Sequence, residues 1–321
     1  MERTIGRFTG QKRGPLVLLI GAMHGNEPAG ILAIREVFRL LERAQQTDAH
    51  FVFSGRVVGF IGNIKAFSAQ KRFVYTDLNR IWGQRVVNDI LLNDKTPRHA
   101  EEAELIDLVK AIDTEISDYQ PTELFILDLH TTSAGGGIFS IPLETDPVSI
   151  RLAAELHAPV VMGLLKGLDG TFMHYANHPE SVFKVVGRTI HTVAFEAGQH
   201  NDPESMNRSV SASIRLMRAV GCVDKKDVGS HHDAILQQYG KNLPKVTQIT
   251  HVHHIQSGEQ FVMRAGYVNF QVIERGEHLA DNEHGPIYAP HGGYILMPLY
   301  QPQGVDGFFI VTEVPPRDRL R

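Results

Sequence analysis

The stretch "GPLVLLIGAMHGNEPAGILAIREVF", residues 14 to 38, combines a strand pattern with a helix pattern. Its continuous apolar run, residues 16–20, predicts a buried β-strand. Pro28 suits the first position of a helix. The residues that follow repeat apolar side chains at helical spacing: Ile31, Ile34, Val37, Phe38 and Leu41. A strand, a short loop and a helix in this order form the repeating unit of α/β proteins.

The same alternation continues through the first two thirds of the chain. Further strands are predicted at 56–63, 123–130 and 188–196. Further helices are predicted near 97–118, from Asp146-Pro147 onward, and over 202–221. We therefore predict an α/β fold, with a mostly parallel mixed sheet flanked by helices.

The pattern changes after Cys222. A polar segment and a short helical stretch are followed by short extended runs separated by glycine and proline. This change predicts two domains, a catalytic domain over 1–222 and a smaller β-rich C-terminal domain over 223–321 that caps the site.

Composition excludes several classes of function. The chain has 321 residues, 42% of them apolar and 21% charged, and a formal net charge of −4. Such a balance gives no basic field for nucleic acid or an acidic membrane surface. No apolar run is long enough to span a bilayer, and the N-terminus lacks the apolar core of a signal peptide, so we expect a cytoplasmic protein. With one cysteine, any metal site must use histidine and carboxylate ligands.

Side chains that can bind a metal ion lie at the ends of three of the predicted strands. His24 and Glu27 come after the first strand, His130 ends the third, and Glu196 ends the fourth. The carboxyl ends of parallel strands meet at one edge of a sheet, so these residues should share a crevice. Two histidines and a glutamate are a catalytic zinc set, which leaves Glu196 as general base. Asp128 could orient His130 from behind. The sequence thus predicts one Zn²⁺ ion per chain.

Several of these features also have simpler interpretations. A His-x-x-Glu pair alone is more typical of a solvated loop, and only the joint placement at three strand ends favours a metal site. The histidines in 231–233 and 251–254 are interpreted as solvated or edge-strand residues. Met162, Met173 and Met206 are interpreted as core residues.

The segment "TDLNR", residues 76–80, contains Asn79 and Arg80, and Arg72 precedes it. These arginines could be solvated in a surface loop. They could equally clamp an anionic substrate, because the guanidinium fork matches a carboxylate. Spacing alone leaves both interpretations open.

Four motifs in order, "HGNE", "DLNR", "DLHTT" and "FEAG", resemble the succinylglutamate desuccinylase/aspartoacylase family. This family is a branch of the zinc carboxypeptidase-like hydrolases, and the resemblance covers nearly the whole chain. It implies a zinc carboxypeptidase-like fold with His24, Glu27 and His130 as zinc ligands. It also implies Glu196 as the general base that activates the zinc-bound water, and Arg72 as the group that holds the oxyanion.

The resemblance further implies a set of substrate contacts. Asn79 and Arg80 match the pair that binds a carboxylate of the amino acid. Tyr294 falls where the aspartoacylase branch supplies a tyrosine from its C-terminal domain. Arg188 is the nearest candidate for a further arginine upstream of the general base, although its spacing to Glu196 differs from the family pattern.

The predicted function is therefore a zinc-dependent amidohydrolase that deacylates a small anionic N-acyl amino acid, similar to N-acetylaspartate or N-succinylglutamate. "FEAGQH" differs from both named branches of the family, so the acyl group and the amino acid stay open. Two alternatives are a zinc carboxypeptidase acting on peptides and a zinc-binding protein without turnover. Whether the chain forms a homo-oligomer is also left open.

Overall fold

An eleven-stranded sheet forms the centre of the protein. The computed structural model describes residues 1–92, 96–168, 170–224, 227–228 and 231–315. The described strands, in chain order, are β1 (Thr4–Thr9), β2 (Lys12–Gly21), β3 (Ser54–Ile61), β4 (Glu123–Thr132), β5 (Phe139–Pro142), β6 (Val160–Met162), β7 (Thr189–Gln199), β8 (Val246–His254), β9 (Val262–Met263), β10 (Gln271–Ile273), β11 (His278–Asn282), β12 (Gly285–Tyr288), β13 (Gly293–Leu296) and β14 (Asp306–Glu313). The described α-helices are α1 (Ala29–Thr47), α2 (Ile64–Ser68), α3 (Gln84–Leu92), α4 (Ala100–Tyr119), α5 (Pro147–Glu155), α6 (Phe172–Asn177), α7 (Glu204–Ala219) and α8 (His231–Tyr239).

The large sheet has the strand order β1-β3-β2-β4-β7-β5-β6-β8-β14-β13-β10. Its centre, from β3 through β2 and β4 to β7, is parallel throughout. Helices follow these strands, as they must where parallel neighbours are joined by crossovers. The α/β fold and the four predicted strands at its centre are confirmed.

Alternating side chains divide the core into two layers, one on each face of the sheet. On β2, Val17 and Leu19 face the cluster that contains α1, α5 and α7. Leu18 and Ile20 face the opposite cluster, which contains α4 and α6. The same alternation on β4 and β7 directs Asp128, His130 and Glu196 away from the α1 face.

The C-terminal third continues the large sheet. β8 pairs in parallel with β6, and β14, β13 and β10 follow as antiparallel neighbours. Strands β12, β11 and β9 form a separate small sheet. The predicted β-rich character of this region is confirmed, while the domain boundary at residue 222 stays a prediction. Among the described residues, no helix is both long and apolar enough to cross a membrane.

Some local predictions differ from the structure. Helix α4 begins at Ala100 rather than near residue 97. Strand β5 was missed, and it enters the sheet antiparallel to β7. Strands β1, β6 and β8 and helix α3 were also missed. The side chains of 231–233 lie outside the described residues.

Candidate metal and catalytic site

His24, Glu27 and His130 meet at the carboxyl end of the central parallel strands. His24 and Glu27 belong to the loop after β2, and His130 lies on β4. One potential ligand atom from each residue lies within 4.8 Å of the other two. The three residues are buried, with exposed fractions of 5%, 1% and 5%. Two imidazoles and one carboxylate are the protein ligands of a catalytic zinc ion, so this group fits such an ion.

Close packing shapes the loop that carries His24 and Glu27. The Glu27 N–H donates to the His24 carbonyl at 3.2 Å, which closes the predicted turn. The Gly25 N–H donates to the Arg72 carbonyl at 3.1 Å. A Cβ on Gly25 would lie 2.1 Å from the carbonyl carbon of Ala66 in α2. Glycine is therefore required here for close approach to another backbone segment.

Each of the two histidines contacts one carboxylate through Nδ1 and another through Nε2. The Nδ1 atoms of His24 and His130 lie 2.8 and 3.2 Å from the two oxygens of Glu27. The Nε2 atom of His24 lies 3.2 Å from Asp77, and that of His130 lies 2.9 Å from Asp128. Both rings thus direct Nδ1 toward the centre of the group. This is the usual arrangement of metal-ligating histidines, whose second nitrogen donates to a carboxylate.

The charges of this group depend on one another. Burial opposes ionisation of Glu27, but His24 and His130 hold its pKa well below the ordinary value. Burial also opposes protonation of His130, but Asp128 and Glu27 raise its pKa well above the ordinary value. Any metal ion at this group must displace the proton from His130, so its affinity will fall as the pH falls.

Glu196 lies beside His130, its partner in the register between β4 and β7. The residue is 5% exposed, and its Oε2 atom has no hydrogen-bond partner among the described residues. Burial raises the pKa of Glu196 to about 8, and the negative charge of Glu27 contributes to this rise. A buried carboxyl with a raised pKa and an uncommitted oxygen is suited to proton transfer.

The metal group and Glu196 border a cavity, and Asp77 holds Arg72 at the border of the same cavity. Its Nε and Nη2 atoms donate to Asp77 Oδ2 at 3.1 and 2.9 Å, and its Nη1 atom lies 3.9 Å from Glu27. The backbone between Arg72 and Asp77 is anchored by Glu101. This fully buried carboxylate accepts hydrogen bonds from the N–H groups of residues 74–76 at 2.7, 3.2 and 3.3 Å.

Comparison with known proteins places the chain in a family. Residues 13–187 match the family model described as "Succinylglutamate desuccinylase/Aspartoacylase catalytic domain". The chain belongs to the succinylglutamate desuccinylase/aspartoacylase family. The resemblance seen in its four motifs is confirmed.

Relatives of the family match about half of the chain. A probable aspartoacylase from Acaryochloris marina is 29% identical over 149 residues, which are 45% of this chain and 45% of that protein. A succinylglutamate desuccinylase from Photorhabdus laumondii is 28% identical over 170 residues, 51% of this chain and 50% of that protein. The chain thus spans about half the length of the curated relatives that it matches. The crystal structure of a succinylglutamate desuccinylase/aspartoacylase from Rhodobacter sphaeroides superposes on this chain with a TM-score of 0.62 and 15% sequence identity. The match covers 94% of this chain and 87% of the Rhodobacter chain, so the two proteins share a fold.

Asn79 and Arg80, from the "DLNR" motif of the family, lie on a 3₁₀ turn (Leu78–Arg80) that borders the cavity. Asn79 Oδ1 accepts a hydrogen bond from the Phe172 N–H at 2.9 Å, which orients the amide. Arg80 donates to the Asn79 carbonyl at 2.9 Å and to Asp306 of β14 at 3.4 Å. Asp306 was missed because its partner lies 226 residues away in sequence.

The structure does not bring Arg188 to the site. Arg188 precedes β7, whereas Glu196 lies near the other end of that strand, at a distance of roughly 26 Å along an extended chain. The guanidinium donates to the carbonyls of Pro121 and Phe183. The structure therefore places Arg188 at the opposite end of the parallel strands from Glu196, where it holds the segment that leads into β7.

Tyr294 lies near the cavity but does not border it among the described residues. The side chain is partly buried against an apolar cluster that includes Ile141, Leu164 and Met173. These three residues themselves border the cavity. The structure therefore places Tyr294 beside the cavity, and its predicted contact with substrate stays a prediction.

One side of the cavity, which we call the apolar wall, was not predicted. It consists of Ile141, Leu164, Leu165, Leu168, Met173 and Ala194. Met173 is buried, as its interpretation as a core residue predicts, and it also borders the cavity. The only sequence signal for this wall is the apolar character of residues 160–168, which is equally typical of a core segment.

Proposed function

We propose that this protein is a zinc-dependent amidohydrolase that removes the acyl group from a small N-acyl amino acid. The observation that carries the proposal is the buried Glu196 carboxyl, with one unpartnered oxygen, beside the His24, Glu27 and His130 group. The names of the two curated relatives, aspartoacylase and succinylglutamate desuccinylase, support hydrolysis of an acyl–nitrogen bond.

His24, Glu27 and His130 would hold the zinc ion, the two histidines through Nδ1. The inward orientation of both Nδ1 atoms and the carboxylates behind both Nε2 atoms support this assignment. When bound, zinc would supply a Lewis acid that makes water nucleophilic near neutral pH and polarises the amide carbonyl.

Glu196 would act as general base and then as general acid. Its carboxylate accepts the proton of the attacking water and passes it to the nitrogen of the leaving amino acid. The positive charge of a bound cation favours the ionised form that the first step requires. Arg72, fixed by Asp77, would donate to the carbonyl oxygen as negative charge develops on it.

Arg80 and Asn79 would bind the carboxylate of the amino acid. A guanidinium donates to both oxygens of a carboxylate in one plane. The contact of Arg80 with Asp306 supports this role, because it holds the guanidinium at the cavity border. A substrate amide without a free carboxylate should therefore react poorly.

The test is the release of free amine from a panel of N-acetyl and N-succinyl amino acids, with the protein loaded with zinc or treated with a chelator. Blocked dipeptides in the same panel distinguish a peptidase from an acyl-amino-acid hydrolase. We expect turnover that requires zinc and is lost in Glu196→Gln, which should retain zinc. Bound zinc with no release from any acyl amino acid would refute the proposal.

A further inference from the structure

The apolar wall begins directly beside Glu196. Ala194 lies two residues before Glu196 on β7, on the same face of the strand. Ile141 of β5 pairs with Ala194, one row below the pair formed by Phe139 and Glu196. A substrate group that extends past Glu196 toward the amino end of β7 therefore meets the side chains of Ala194 and Ile141.

The rest of the wall is part of a packed core. Leu164, Leu165 and Met173 are buried and belong to the same apolar cluster as Ile141 and Ala194. Leu168 is partly buried against this cluster. Because the wall is the cavity side of a close-packed cluster, it offers a fixed apolar surface.

The arginines that border the cavity do not come from the apolar wall. Among the described residues that border it, Arg72 and Arg80 are the arginines, and there is no lysine. Lys166, in the segment that carries the wall, pairs with Glu144 at 2.7 Å and is 71% exposed. Arg188 points elsewhere. A carboxylate placed against the apolar wall would be buried without a cation, which is strongly unfavourable.

The adjoining cavity offers no better place for a second carboxylate. It shares Arg72 and Arg80 with the first cavity, and its own acidic side chains are Asp77 and Asp306. These two carboxylates already accept hydrogen bonds from the two arginines. A second anionic group there would face two negative charges.

We infer that the substrate carries a single carboxylate, bound at Arg80, and an apolar group bound at the apolar wall. The substrate class is thus N-acyl amino acids with an aliphatic or aromatic group, rather than compounds with two or three carboxylates, such as N-acetylaspartate and N-succinylglutamate. The apolar group is either the amino-acid side chain or the acyl chain. The inference rests on the proposed function and narrows its substrate.

The experiment crosses acyl groups with amino acids. The zinc-loaded protein is given acetyl, succinyl and octanoyl derivatives of alanine, leucine, phenylalanine and aspartate, and kcat/KM is measured by amine release. Binding of the same compounds to zinc-loaded Glu196→Gln is measured by calorimetry. Each buried methylene contributes about fourfold. We expect acetyl-leucine or octanoyl-alanine to exceed acetyl-alanine by about tenfold or more, and acetyl-aspartate to be the poorest acetyl substrate.

The acyl series and the amino-acid series of the panel show which part of the substrate carries the apolar group. A gain along the amino-acid series assigns the wall to the side chain, and a gain along the acyl series assigns it to the acyl chain. A preference for aspartate or succinyl compounds overturns the inference but leaves the amidohydrolase intact. Absence of turnover for every compound, with zinc bound, refutes the proposed function, and absence of selective binding of the apolar compounds overturns the inference.

Leu168→Arg adds a direct test of the wall, because this partly buried leucine tolerates substitution better than its buried neighbours. Leu32→Arg, on the exposed face of α1, is the matched control. We expect Leu168→Arg to lose at least about tenfold on the apolar substrates and to gain on acetyl-aspartate or succinyl compounds. If both variants keep the wild-type selectivity, the wall does not bind the substrate and the inference is wrong.

Discussion

Asp77 is expected to serve the metal group and Arg72 at the same time. Its Oδ1 atom lies 3.2 Å from His24 Nε2 and accepts from the Asn79 N–H at 2.8 Å. Its Oδ2 atom accepts two hydrogen bonds from Arg72. Burial opposes ionisation of this carboxyl, but the charges of His24 and Arg72 hold its pKa well below the ordinary value. Asp77 is thus a carboxylate at neutral pH, with every contact a donor.

The substitution Asp77→Asn forces a choice between two losses. If the amide oxygen faces His24, the amide NH₂ points at the guanidinium of Arg72, and two donors oppose each other. If the amide NH₂ faces His24, the imidazole must accept at Nε2, which places its proton on Nδ1 and blocks that atom as a ligand. Either arrangement impairs the proposed chemistry.

The magnitude follows from these contacts. Loss of a carboxylate behind a ligating histidine lowers metal affinity about 10- to 100-fold, or about 1.4 to 2.8 kcal/mol. Asp128→Asn should produce the same loss, since Asp128 contacts His130. Only Asp77→Asn should also lower kcat at saturating zinc, by about tenfold or more, because Arg72 loses its anchor.

Zinc affinity is measured by competition with a chromogenic chelator, and kcat at a zinc concentration that saturates each variant. Asp118→Asn, an exposed carboxylate paired with Arg56, is the matched control and should leave both quantities unchanged. Wild-type zinc affinity in Asp77→Asn would show that His24 does not depend on this carboxylate. Equal kcat in Asp77→Asn and Asp128→Asn at saturating zinc would refute the proposed link to Arg72.

Three further predictions concern other parts of the site. The ¹³C carboxyl resonance of Glu196 can be identified by its absence in Glu196→Gln. In the metal-free protein this resonance should titrate near pH 8. Zinc should shift the titration to lower pH, because a cation favours the carboxylate. Glu101→Gln should lower the free energy of unfolding in urea by about 1 to 3 kcal/mol, because the amide presents NH₂ to backbone donors; an unchanged midpoint and slope would contradict this. Arg80→Ala should raise KM about tenfold or more with a smaller change in kcat, and unchanged steady-state kinetics would remove Arg80 from the substrate contacts.

The grouping of His24, Glu27, His130 and Glu196 could be predicted because two general rules suffice. Apolar runs identify the buried strands, and parallel strands bring their carboxyl ends to one edge of the sheet. The first rule acts over a few residues, and the second needs only the alternation of strands and helices, so neither requires knowledge of an individual distant contact. The chemistry of each side chain then indicates a metal group with an adjacent base.

The contacts that were missed depend on chain segments far apart in sequence. Asp306 meets Arg80 only because β14 joins the large sheet beside β8. The four-residue strand β5 is too short to show a period, so the apolar wall that includes Ile141 could not be foreseen. Arg188 is close to Glu196 in sequence, but two residues eight positions apart in an extended strand lie far from each other in space.

Two parts of the site lie on different elements of the fold, and Asp77 links them through its contacts with His24 and Arg72. The metal group and Glu196 project from the ends of β2, β4 and β7, in the middle of the parallel sheet. Arg72 and Arg80 lie on an irregular segment that Glu101 anchors from one side and Asp306 from the other. Because Asp306 belongs to β14, the C-terminal strands take part in positioning the group proposed to bind the substrate carboxylate. A change at Asp306 should therefore raise KM, with a smaller effect on zinc affinity, because Asp306 contacts Arg80 and not the three proposed ligands.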